Sequence, residues 1–132
     1  MDAATRQTVR QRAVDHCEYC LLPQRAQPFV AFHVEHIIAR QHGGSDDLEN
    51  LCFACGRCNA AKGPNLSGRD PESGNVERLF DPRHQDWFEH FQLRGPVIIG
   101  LTAVGRTTVE VLKMNDARRV QLRAELHARG EF

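Results

Sequence analysis

The chain has little lysine, few aromatics, no long apolar run and no excess of either charge. Only Lys62 and Lys113 are lysines, and the other 15 of the 17 cations are arginine. The 17 cations are matched by 17 acids, and since a nucleic-acid binder more often carries a basic excess, the balance counts against one. The longest nearly apolar stretch, Pro96 to Val104, is far below the ~18 residues a membrane span needs. The first residues, Met-Asp-Ala-Ala-Thr-Arg-Gln, are polar and lack the apolar core of an export signal. The expected location is therefore the cytoplasm, away from membranes. Hydrophobic residues make up 41% and charged residues 26%, the balance of a soluble globular protein. At 132 residues the length suits a single domain spanning 1–132.

Five cysteines stand out against this background, as Cys17-x-x-Cys20 and Cys52-x-x-Cys55-x-x-Cys58. An odd number in a reducing compartment points to metal ligation rather than disulfides. Two separated C-x-x-C knuckles can close a four-thiolate tetrahedron, so Cys17, Cys20, Cys55 and Cys58 are the expected ligands of a structural Zn²⁺. Cys52 reads as a small buried side chain. A rival shell, Cys17 and Cys20 with His33 and His36, has its histidines one residue too close for a Cys₂His₂ finger and leaves Cys55 and Cys58 idle. A redox dithiol would require a reactive, exposed C-x-x-C pair.

Local patterns predict a helix over residues 3–15, with Val9, Ala13 and Val14 on one side. Residues 29–38 are β-branched and aromatic and read as a strand. Residues 41–47, with Gly43-Gly44, form a loop, and 48–62 carry the second knuckle and the start of a short helix. Residues 63–74 read as a loop or linker. Beyond them, 97–99 is a short strand, Thr102 caps a helix reaching Met114, and Asn115-Asp116 starts another ending near His127. Trp87, Phe88 and Phe91 suggest a satellite core, and Arg118, Arg119 and Arg123 a solvated helix face.

With the zinc shell filled by thiolates, Glu35, His36 and Asn59 are left for other work. A carboxylate and an amide oxygen suit a hard cation such as Mg²⁺ or Mn²⁺. An imidazole beside them has the right ordinary pKa to take a proton from water. Cation, base and nearby positive charge are the requirements of phosphodiester hydrolysis.

Glu35-His36, Glu49-Asn50-Leu51 and Cys58-Asn59-x-x-Lys62-Gly63, interleaved with the knuckles, resemble the HNH endonucleases over roughly residues 15–64. The later Leu79-Phe-Asp-Pro, Trp87-x-x-His90-Phe and Gly100-Leu-Thr-x-x-Gly-Arg106 are similar to the tails of free-standing bacterial HNH proteins. The resemblance implies an α+β fold: a small ββα-metal core stapled by a Cys₄ zinc site, with an N-terminal helix and an α-rich extension over 75–132. It implies a metal-dependent endonuclease acting on DNA. His36 would be the general base, Glu35 and Asn59 the ligands of the catalytic Mg²⁺ or Mn²⁺, and Asn50 a brace that helps orient the His36 ring. Lys62 would contact phosphate. His33 offers either an accessory metal ligand or phosphate contact, or a plain polar edge residue. Two departures are a Glu in place of Asp at position 35 and an Asn in place of His at position 59. The alternative reading is a non-catalytic zinc module that binds nucleic acid or protein.

Overall fold

The computed structural model describes all residues, Met1–Phe132. The chain forms two compact units, one comprising Met1–Leu66 with Asp81–His84, the other Ser67–Phe80 with Gln85–Phe132. The class is α+β, small antiparallel hairpins combined with short helices. No helix is long and apolar enough to cross a membrane.

The first unit contains α1 (Ala3–Arg12), β1 (His33–His36), β2 (Leu51–Ala54) and α2 (Gly56–Lys62). Asp2 caps α1 by accepting from Thr5 N at 2.7 Å. The helix stops at Arg12, three residues before the predicted end, because Val14 and Asp15 take positive φ (52° and 54°). Asp15 N then bonds Arg10 O and Val14 N bonds Gln11 O, satisfying the last carbonyls in the Schellman manner and turning the chain toward Cys17. Val14 consequently lies 72% exposed rather than on the buried side. Arg12 donates to the carbonyls of Leu48 (2.7 Å) and Leu51, fixing the helix against the start of β2.

β1 and β2 pair antiparallel, with His33 opposite Ala54, Glu35 opposite Cys52 and His36 opposite Leu51. The predicted strand over 29–38 shrinks to four residues because β2 offers only four partners. Upstream, the Gln24 side chain takes the backbone instead, accepting from Phe32 N (2.8 Å) and donating to Val30 O (2.8 Å). Phe29 is left almost wholly exposed. β2 is buried along its whole length, and Leu51, Phe53 and Ala54 form the core with Val9, Tyr19 and Phe32.

The second unit contains β3 (Ser67–Arg69), β4 (Val76–Arg78), α3 (Trp87–His90), β5 (Phe91–Arg94), β6 (Val97–Gly100), α4 (Ala103–Val111) and α5 (Ala117–Ala128). β3 falls in the stretch read as linker. It pairs with β4 around a turn whose centre is Asp70, a pattern carried by hydrogen bonds rather than by apolar alternation. β5 and β6 form a second hairpin, closed through Gly95 (φ 59°) and Pro96. Thr102 and Asp116 cap α4 and α5 as expected. α4 ends before Met114 because Lys113 adopts φ 51°.

Two further expectations are corrected in this unit. Phe88 is 65% exposed, whereas Trp87 and Phe91 are buried and stack at 4.9 Å between ring centroids. Arg119 and Arg123 are buried, not solvated. Arg119 Nη1 donates to Leu112 O (2.6 Å), while Arg123 donates to Pro96 O (2.7 Å), Met114 O (2.6 Å) and Asn115 Oδ1 (3.1 Å). Their task is to satisfy backbone carbonyls that helix ends and turns leave open.

Candidate active site and metal centre

The two knuckles are built differently. The first is a tight hairpin in which Cys17 N bonds Leu22 O (2.8 Å) and Leu21 N bonds Cys17 O (2.9 Å). Leu21 there adopts φ 66°, a conformation that disfavours a branched side chain and that the turn nevertheless requires. In the second, Cys55 caps α2, its sulfur accepting from Cys58 N at 3.4 Å. Cys20 N approaches Cys17 Sγ in the same way at 3.5 Å. The four Sγ atoms of Cys17, Cys20, Cys55 and Cys58 lie within 4.8 Å of one another, all buried, with Cys20 and Cys55 at 3.7 Å. A tetrahedron of Zn–S bonds places sulfurs about 3.8 Å apart, so the grouping fits a metal ion. Cys52 lies outside it, wholly buried on β2, with Sγ 3.7 Å from Tyr19 Oη. Burial pushes its thiol up to about 12, the state of an inert core residue.

Glu35, His36 and Asn59 come together in one open cleft of about 390 Å³, lined also by Val34, Ala39, Arg40 and Gln41. Glu35 and His36 end β1, and Asn59 comes from α2, the helix that starts on the second knuckle. Glu35 is buried, and its Oε2 has no hydrogen-bond partner. Burial raises the carboxyl above its usual range, and Lys62, then His36, draw it back only in part. A buried carboxylate oxygen without a donor, beside an amide and an imidazole, is a donor set that fits a hard divalent cation.

Lys62 does not stand on the surface as a phosphate contact would. It is 1% exposed, because α2 turns its side chain inward, where Nζ donates to the His36 carbonyl (3.2 Å) and lies 3.6 Å from Glu35 Oε1. It thereby engages one oxygen of Glu35 and leaves the other for the cleft.

His33 is exposed and does not line the cleft; its Nε2 faces Gly56 at the start of α2. Asn50 grips the loop between β1 and β2. Its Oδ1 accepts from Ile38 N (2.9 Å), and Nδ2 donates to Ile38 O (3.0 Å) and Ser45 O (2.8 Å). Gly44 makes this grip possible, since a Cβ there would sit 1.7 Å from Ile38 O and 2.9 Å from Asn50 Nδ2. Asn50 does not touch the His36 ring.

The group that does is Asp46, which sequence reasoning missed. Its Oδ1 lies 2.7 Å from His36 Nε2, and Arg40 Nη2 donates to both its oxygens at 2.9 Å. The hydrogen bond from His36, then those from Arg40, hold the Asp46 carboxyl below its usual range. The only sequence signal is an acidic pair after Gly43-Gly44, and the loop path alone decides which acid meets the ring.

Residues 17–65 match the family model described as HNH endonuclease. The match begins at the first knuckle cysteine and takes in Glu35, His36, Asn50, Asn59 and the second knuckle. This segment is therefore similar to an HNH domain, of a nuclease-type family, in agreement with the motifs. Searches of curated proteins and of solved structures gave no match.

Proposed function

We propose that the chain is an endonuclease that hydrolyses DNA phosphodiester bonds with the help of one divalent cation, and that it works in the cytoplasm. The observation that carries this reading is the cleft in which the unpartnered Oε2 of buried Glu35 meets His36 and Asn59. Glu35 and Asn59 would hold Mg²⁺ or Mn²⁺, which when bound supplies positive charge to the scissile phosphate and to the leaving oxygen. His36 takes a proton from water as the water oxygen attacks phosphorus. The bond from phosphorus to the 3′ oxygen breaks and that oxygen takes up a proton from solvent, giving 5′-phosphate and 3′-hydroxyl ends. Asn50 keeps the loop beside His36 in place, and Lys62 acts through Glu35 rather than on the phosphate. Cys17, Cys20, Cys55 and Cys58 would hold a structural Zn²⁺ that sets α2, and with it Asn59, against β1. Equal numbers of acids and bases support moderate, salt-sensitive DNA binding.

The test is nicking of supercoiled plasmid by the full chain with added Mg²⁺ or Mn²⁺. Wild type should cut and should stop in EDTA while its fold persists. Glu35→Ala and Asn59→Ala should raise the Mg²⁺ concentration required, whereas His36→Ala should stay roughly 10²–10⁴ slower than wild type at every concentration. If excess Mg²⁺ restores His36→Ala but not Glu35→Ala, base and ligand have been exchanged. A folded wild type that fails to cut with any divalent metal tried favours the non-catalytic module.

A further inference from the structure

We infer that Asp46, clamped by Arg40, is a positioning residue that fixes which nitrogen of His36 takes the proton. This rests on the nuclease reading above. Two side chains approach His36 Nε2, the Asp46 carboxylate at 2.7 Å and the Arg40 guanidinium at 3.5 Å. They make opposite demands. A carboxylate only accepts, so it requires hydrogen on Nε2; a guanidinium only donates, so it requires a lone pair there. The distances decide, because 2.7 Å is a strong hydrogen bond and 3.5 Å is at the edge of one. Arg40 instead spends its donors on Asp46, at 2.9 and 2.9 Å from Nη2 and 3.2 Å from Nε. The neutral ring therefore carries its hydrogen on Nε2, and Nδ1 keeps the lone pair that a general base needs.

The remaining charged groups near the ring do not compete for it. Lys62 binds the His36 main-chain carbonyl, and Glu35 is engaged by Lys62. The loop also explains how Asn50 can influence a ring it does not touch. Asn50 Nδ2 holds Ser45 O, and the next residue is Asp46. Asp46 and Arg40 are 57% and 65% exposed, so their pair contributes little to stability. A loss of rate on changing Asp46 is then not a loss of fold.

The experiment compares wild type, Asp46→Ala, Asp46→Asn and His36→Ala as full-length, zinc-loaded chains. Asp46→Ala should lower kcat for plasmid nicking about 10- to 100-fold, as for other groups that orient a reactive side chain. KM for DNA, the Mg²⁺ requirement, zinc content and Tm should stay as in wild type. Asp46→Asn should keep more of the rate, because its amide oxygen can still accept from Nε2–H. Nitrogen-15 NMR of histidine-labelled protein, at a pH well above the ordinary imidazole range, should show the Nε2–H form of His36 in wild type and a mixture in Asp46→Ala. A wild-type ring protonated on Nδ1 overturns the inference. So does an unchanged kcat in Asp46→Ala when His36→Ala is strongly slowed, or a rate loss matched by loss of zinc or Tm. If wild type cuts no DNA but the ring changes form in Asp46→Ala, the nuclease reading falls and the positioning role stands.

Discussion

The two units meet the same difficulty, a core too small to hold a fold alone, in different ways. The first gathers four buried sulfurs around one point and leaves the cleft chemistry to a short hairpin and a seven-residue helix. The second has no such cluster. It relies on a ring cluster of Phe80, Trp87 and Phe91, edge-to-face between Phe80 and Phe91, and on buried arginines that satisfy carbonyls. Its Asp70, with no solvent exposure, accepts from Arg106 at 3.0 and 2.8 Å, from Ser73 at 3.0 Å and from Glu72 N at 3.0 Å. A metal staple binds distant segments through one ion and fails all at once. A distributed hydrogen-bond network should fail in steps.

The largest expected effect comes from removing the staple. Cys55→Ala, or a strong chelator under denaturing stress, should abolish zinc content and unfold the first unit, since structural zinc binding is itself folding free energy. Elemental analysis should find about one zinc per wild-type chain, retained through mild chelation. Finding none in cleanly folded protein would contradict the four-thiolate site. The sole tryptophan, Trp87, reports on the second unit. If its emission stays native while zinc is lost, the units are independently stable; if both signals fall together, the two units unfold as one.

Next comes a change confined to the cleft. His36→Ala should cut the nicking rate by roughly 10²–10⁴, the usual contribution of a positioned base. Zinc content, Tm and DNA affinity should be nearly unchanged, because a base acts in the transition state. Gel-shift and melting measurements on the same preparation check this.

A smaller effect is expected in the second unit. Arg123→Ala leaves the carbonyls of Pro96 and Met114 and the Asn115 side chain without a buried donor. The cost should be about 3 kcal/mol, read from the denaturant midpoint of Trp87 emission with zinc content unaltered. A loss of zinc in this variant would break the division of labour between the units.

The smallest effect is one of pH. Asp70 has its carboxyl held far below the usual range, first by the hydrogen bonds from Arg106. A depressed folded-state pKa contributes stability that is complete above the ordinary carboxylate range, near pH 4, and is lost as pH falls through the folded value. Asp70→Asn should therefore lower the Tm of the second unit at pH 7, and the gap from wild type should narrow steadily below pH 4. A gap that is constant with pH would assign Asp70 a purely geometric role.

What the sequence determined by itself is which side chains gather at the cysteine cluster and the cleft. Cysteine spacing named the four cysteines whose sulfurs the structure gathers, because a C-x-x-C turn brings two sulfurs together whatever surrounds it. Adjacent Glu35 and His36, with Asn59 just past the second knuckle, named the cleft for a similar reason, since each is fixed by its place beside a motif. Caps at Thr102 and Asp116 were legible because capping is local. Tertiary structure alone decided the rest. Whether Lys62 reaches solvent or Glu35 depends on which side of α2 meets β1, and that it is buried follows from packing. Arg119 and Arg123 look like surface charge until the carbonyls they serve are in place. β3 was invisible because a three-residue strand of Ser, Gly and Arg carries no apolar alternation and owes its pairing to the Asp70 turn. Asp46 reaches His36 only because Gly43, Gly44 and Asn50 fold the intervening loop back on itself, a long-range geometry that no local pattern of residues encodes.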